Sequence, residues 1–328
     1  MLAATTDLLR LLAVPAFGWA AWRDVRTRRL PNELWYPLAA IGLVALLVDA
    51  TAHLPLTSVD DRLFFVRVGV SLLILIPFAY GLWWFGGFGG ADAKALMTLA
   101  LLFPTYPVFY LSNDTMPFVA TTLGVFSLTV LTNAVLLGLA YPLYLGARNA
   151  LRGNVSVLMF VGRRTPVSAL THEHGRLFET PDGVTRHGLD IDALRMYLRW
   201  RGTSLAALRA SPAAHRDPAS VEGTHDPTDG AVDADEAPDD APPADTNPTF
   251  DAEYDDPWAA ARFLDDIDGS AYGTTPEDLR DGLRVVTTRE TVWLSPGIPF
   301  IVPVFLGLVV GLTYGDLLFG LLSALGLV

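Results

Sequence analysis

The chain has 328 residues, 51% of them hydrophobic, yet it carries a formal charge of -12 and a pI near 4.8. A mean hydropathy of +0.36 combined with that acidity argues against one uniform domain. Cysteine is absent, which excludes disulfides, thiolate nucleophiles and cysteine-based zinc sites.

A bilayer core takes roughly 20 mainly apolar residues per helix. Six stretches come near that length: about Leu8–Trp22, Leu34–Asp49, Leu63–Phe85, Asp92–Leu111, Phe118–Leu145 and Pro299–Leu327. The first lacks the basic start and cleavage site of a signal peptide, so it is read as a helix. Arg23, Arg26, Arg28 and Arg29 follow the first stretch, and Arg148, Arg152, Arg163 and Arg164 follow the fifth. The positive-inside rule places both groups in the cytosol and both termini outside. The expected fold is an all-α membrane protein of six transmembrane helices with a small cytosolic α+β insert between helices 5 and 6.

The expected division is a membrane domain over 1–147, an α+β insert over 148–210, an acidic disordered linker over 211–256, a second insert part over 257–296 and the last helix over 297–328. Within the insert, Val155–Val161 reads as a short strand, Pro181–Gly183 as a turn and Ile191–Trp200 as a helix. The linker gathers Asp233, Asp235, Glu236, Asp239 and Asp240 and is too poor in apolar residues to fold. It reads as a solvated spacer or as a surface for a basic partner. Lys94 is the only lysine, and 35 acids face 23 lysines and arginines, a surface that fits a halophile.

Charged residues in or beside apolar helices each need a reason. Asp7, Asp49 and Asp316 fall near the expected outer surface, where water can hydrate them, and Arg67 can snorkel outward. Asp24 and Asp92 differ, because both fall on the cytosolic side. Asp24 opens a polar turn through Leu30, Pro31 and Asn32. Asp92 closes a glycine run, Gly86, Gly87, Gly89 and Gly90, then Ala91, with Lys94 following. The glycines leave room for an extended substrate. A helix first turn favours an ionised Asp92, whereas a helix C-terminus disfavours an anion at Asp24. Such a pair sharing one proton could activate water and protonate a leaving amine without metal or cofactor.

Asp24 with Leu30-Pro31-Asn32, and Gly89-Gly90-Ala91-Asp92 with Lys94, resemble the two motifs of type IV prepilin peptidases and archaeal preflagellin peptidases, the GxGD membrane aspartyl proteases. Ala91 departs from the strict motif's glycine. Val292–Phe300 resembles the approach to the last helix in the archaeal branch. The resemblance implies Asp24 and Asp92 as catalytic residues, and Gly87, Gly89, Gly90, Ala91, Lys94, Pro31 and Asn32 as motif positions. It implies removal of a short charged class III signal peptide from pilin or archaellin precursors at the cytosolic face, with the bilayer as the other partner and no nucleic acid. Without cysteine, no methyltransferase activity is expected. A proton- or cation-coupled transporter using Asp24 and Asp92 is the rival reading, and a membrane scaffold a third. His172-Glu173-His174 lacks the spacing of a helical metal pair and reads as a solvated turn, and Tyr314-Gly315-Asp316 reads as a decoy of the glycine–aspartate motif.

Overall fold

The computed structural model describes residues 3–111, 114–232, 250, 252–267, 270–297 and 299–327. The acidic cluster from Asp233 to Asp240 lies outside them. The chain divides into two compact units, Met1–Ala140 with Pro299–Val328, and Tyr141–Ile298.

The first unit opens with α1, Thr5–Arg10, and α2, Ala13–Thr27. Phe17, Ala20, Ala21 and Asp24 lie on the buried side of α2. Arg28 ends the helix in the left-handed region, at φ 55°. Pro31, with its fixed φ and missing N–H, precedes a 3₁₀ turn at Asn32–Leu34 that leads into α3, Trp35–Ala52. A Ser58 capping box with Asp61 starts α4, Val59–Val70. A wide π turn, Ser71–Leu75, joins it to α5, Ile76–Trp84. Ser71 makes that turn an anchor, since its hydroxyl donates to the Ala100 carbonyl and meets the Ser127 hydroxyl, each at 2.7 Å. Next come α6, Gly90–Leu102, a two-residue hairpin of β1, Phe109–Tyr110, and β2, Thr115–Met116, then α7, Phe126–Gly138, and α8, Ala140–Leu151.

Among the described residues, three helical runs are long and apolar enough to cross a membrane: Asn32–Ala52, Val59–Trp84 and Phe126–Leu151. The expected stretch from Asp92 to Leu111 departs from a single helix. Pro104 disfavours helical torsions at Phe103, so α6 stops at Leu102 and the hairpin follows.

The second unit holds a three-stranded antiparallel sheet in the order β3, β7, β4, with β3 at Arg163–Pro166, β4 at Arg176–Leu177 and β7 at Thr291–Ser295. A small hairpin pairs β5, Glu179–Thr180, with β6, Gly183–Val184. Helices α9, Ile191–Arg201, α10, Leu205–Ala210, α11, Pro212–Arg216, α12, Ala260–Asp266, and α13, Pro276–Thr288, complete it. Tyr197, Trp200 and Phe263 pack ring against ring in its core beside Trp258, Leu279 and Leu283. The helix read at Ile191–Trp200 and the turn before Gly183 are both present. Val155–Val161 is not a strand, because it holds a 3₁₀ turn at Val157–Phe160. The beginning of the expected disordered linker is ordered as α11 and a 3₁₀ turn, Pro218–Ser220.

The chain then returns to the first unit as α14, Ile301–Thr313, and α15, Leu317–Ala324. One continuous helix over Pro299–Leu327 is thereby replaced by two. Gly315, at φ 108°, breaks the run where a Cβ would lie 1.9 Å from the Val119 carbonyl oxygen. Gly307 and Gly311 let α14 lie against α7: a Cβ at Gly307 would meet Ala134 N and Val130 O at 2.8 Å.

The charged residues of this unit are more enclosed than hydropathy implies. Arg10, 2% exposed, pairs with Asp7 at 3.1 Å and Asp49 at 2.7 Å, so these acids are ion-paired rather than simply hydrated. Asp316, also 2% exposed, accepts from the Thr129 hydroxyl at 2.8 Å and caps α15 through Phe319 N–H at 2.9 Å. Arg67 donates from Nε to the Leu123 carbonyl at 3.0 Å instead of simply reaching outward.

Candidate active site

Asp24 sits in the last full turn of α2, 9% exposed, on the face that α14 covers. The Ile301 N–H, one of the orphan donors that open α14, acts on this carboxylate electrostatically. A helix C-terminus alone would repel an anion, and the start of a second helix offsets that repulsion.

Asp92 is the third residue of α6, and its Oδ2 accepts from the Gly89 N–H at 3.1 Å. Gly89 has a reason to be glycine, since a Cβ there would lie 3.1 Å from that same oxygen. Upstream, Gly86 turns the chain at φ 71°, and Gly87 N–H donates to the Leu82 carbonyl at 2.7 Å. Gly90 and Ala91 start the helix that carries Asp92. Phe88 packs its ring on Phe300 at 4.7 Å, which joins the glycine turn to the residue just before Ile301.

The two carboxylates lie within electrostatic reach of each other, and the Arg28 guanidinium reaches both. Lys94 Nζ donates to Asn32 Oδ1 at 2.5 Å, so the second motif holds the first across 62 residues of sequence. Pro31 sets up the turn that presents Asn32. Asn32 and Lys94 are thus joined by a hydrogen bond and Asp24 and Asp92 by electrostatics alone, whereas Gly87, Gly90, Ala91 and Pro31 shape the backbone around them.

Three contributors were not legible as site residues: Arg28, the Ile301 N–H and the Phe88–Phe300 contact. The sequence offers Arg26 or Arg28 as a structural partner of Asp24, and the left-handed torsion at Arg28 has no signature in a non-glycine residue. The resemblance of Val292–Phe300 did mark the approach to Ile301. Ile298, within that stretch, lies outside the described residues.

The second unit's histidines form no comparable centre. Glu173 pairs with Arg163, and His174 Nδ1 lies 3.2 Å from Asp192 Oδ1, so the pair of histidines flanks an ion-paired turn rather than a solvated one. Among the described residues no group of three or more metal-ligating side chains occurs.

Several long apolar helices beside a pair of carboxylates within electrostatic reach mark a membrane-type protein. Residues 11–143, which contain both motifs, match the type IV leader peptidase family. The chain is also similar to the preflagellin peptidase of Methanococcus voltae, with 29% identity over 178 residues, which is 51% of this chain and 69% of that protein. No solved structure matches.

Proposed function

We propose that the protein is a multi-pass membrane aspartyl endopeptidase that removes the short charged leader of pilin-like or archaellin precursors. In this reading Asp24 and Asp92 are the catalytic pair. The observation that carries it is the pair itself: two carboxylates within electrostatic reach, Asp24 buried and Asp92 held by the Gly89 N–H, inside the segment that matches the leader peptidases.

Two like charges this close favour holding one proton between them. The ionised carboxylate takes a proton from water as its oxygen attacks the scissile carbonyl. The protonated one hydrogen-bonds that carbonyl oxygen, and a proton then passes to the leaving amine. The helix-end argument that made Asp92 the ionised member no longer separates the two, because the start of α14 and Arg28 both act electrostatically on Asp24. The pair is the functional unit. No metal or cofactor enters this scheme.

A leader peptide extended along Gly86–Gly90 would place its junction beside the pair. The arginines after α2 and after α8 support a cytosolic position for this end of the membrane unit, with both termini outside and the acidic insert in the cytosol.

The test uses membranes carrying the wild-type chain, Asp24→Asn or Asp92→Asn, a pilin-like precursor, and its size on a gel. Processing should vanish in both variants while both remain inserted. Full processing by either would overturn the assignment, since an amide can neither act as base nor share the proton.

A further inference from the structure

The turn that follows α8 presents apolar side chains where a soluble unit would carry polar ones. Leu151 is 89% exposed, Val155 76% and Val157 93%, with Phe160 and Val161 near half. Contiguous exposed apolar surface marks a site of interaction.

This turn is built, not loose. Asn149, 3% exposed, donates from Nδ2 to the Met159 carbonyl at 2.7 Å and to the Gly162 carbonyl at 2.8 Å. Its own carbonyl accepts from Asn154 N–H at 2.9 Å. Ser156 caps the 3₁₀ turn through Leu158 N–H, and the Phe160 ring lies so close over Gly146 that a Cβ there would meet it at 2.4 Å. Those bonds fold the segment back on α8 and hold Val155 and Val157 outward. A polar pair at those positions would satisfy the same backbone geometry.

Two facts identify the occupant. The turn directly continues Phe126–Leu151, one of the runs able to cross a membrane. Arg148 and Arg152 flank it, and no acidic residue occurs between Arg148 and Arg164. Apolar side chains bracketed by arginines at the end of a span match the headgroup boundary of an anionic leaflet.

We propose that residues 151–161 form an interfacial anchor, with Leu151, Val155 and Val157 inserted below the headgroups and Arg148 and Arg152 on anionic lipid phosphates. This rests on the reading of Phe126–Leu151 as a span. The sheet follows directly, because β3 starts at Arg163 immediately after the anchor.

The absence of native cysteine makes the test direct. Full-length Val157→Cys, Val135→Cys and Val184→Cys, each carrying one environment-sensitive fluorophore, are placed in phosphatidylglycerol or phosphatidylcholine vesicles containing nitroxide-labelled lipids. Val135 lies within the proposed span, and Val184, 65% exposed, lies in the β5–β6 hairpin. The label at 157 should lose most of its emission to a shallow nitroxide, more so in phosphatidylglycerol, with 135 quenched by a deep nitroxide and 184 by neither. If 157 behaves like 184 while 135 is quenched, the anchor is wrong and the span stands. If 135 also escapes quenching, the span fails and the anchor with it. A label at 157 shielded from aqueous quencher yet out of reach of both nitroxides assigns the surface to a protein partner and overturns the lipid proposal.

Discussion

Gly307→Ala should destabilise the membrane unit far more than its one added methyl implies. The new Cβ would lie 2.8 Å from both Ala134 N and Val130 O, which are backbone atoms of α7 and have no rotamer by which to withdraw. Relief requires α14 to move away from α7. Overpacking of this kind costs about 1–3 kcal/mol, and the backbone contacts place this case toward the upper end. Gly69→Ala is the matched control: nothing lies within 4 Å of its added Cβ, and it sits inside α4. There the substitution should be neutral or stabilising by up to about 1 kcal/mol, from helix propensity alone. Gly311→Ala meets side chains, the nearest being the Phe126 ring at 3.0 Å, and should fall between the two. The assay is reversible unfolding of the reconstituted chain in mixed micelles of rising sodium dodecyl sulfate, with precursor processing measured in parallel. Because α14 opens at Ile301 and covers the Asp24 face of α2, processing by Gly307→Ala should fall while Gly69→Ala retains it. Equal unfolding midpoints for Gly307→Ala and Gly69→Ala would refute the packing argument.

Asn32→Ala and Lys94→Met each remove one end of the bond between the motifs, and each should lower processing by roughly tenfold, the value of about 1.4 kcal/mol for a charge-assisted hydrogen bond at an exposed site. The double variant should be no worse than either single one, and additive losses would show that the bond is not the shared cause. Arg10→Met leaves Asp7 and Asp49 without their guanidinium in an enclosed site and should cost about 3–5 kcal/mol in the same unfolding assay, with Asp7→Asn/Asp49→Asn added to it restoring part of the loss; no rescue would mean that packing, not charge, is responsible. In the second unit, burial pushes the Asp190 carboxyl up to about 6, against an ordinary 3.8, despite Arg176 at 3.2 Å. The folded state then holds this proton more tightly than the unfolded state between about pH 4 and pH 6, so stability falls as pH rises through that window, by roughly 3 kcal/mol at most. Thermal midpoints of the full chain should show this slope, and Asp190→Asn, whose amide oxygen can still cap α9, should flatten it; an unchanged slope would assign it to another group.

Much of the candidate site was legible because its signals are local. Pro31, the glycine run and an acid opening an apolar helix each have a backbone reason that a reader of sequence can state. What was missed depends on where the chain goes between elements. Hydropathy averages over Phe103-Pro104 and Tyr314-Gly315-Asp316 and joins segments that the backbone separates. Asp316 looked like an acid near water, and it is instead the cap of the helix that the Gly315 break creates. Asp7 and Asp49 likewise looked hydrated because nothing in the order of residues says that Arg10 lies between them. The Ile301 N–H carries no side-chain signature at all.

The place of α14 in the chain orders events in time. A ribosome delivers α2 with Asp24 early and α6 with Asp92 soon after, but the helix that covers Asp24 is α14, made after the whole second unit. Until then the α2 and α7 surfaces that α14 covers have no mate, and the two aspartates stand in an unfinished bundle. Under the proposed function, such a pair becomes competent only once α14 has packed, so the nascent protein meets the membrane with its chemistry still unfinished.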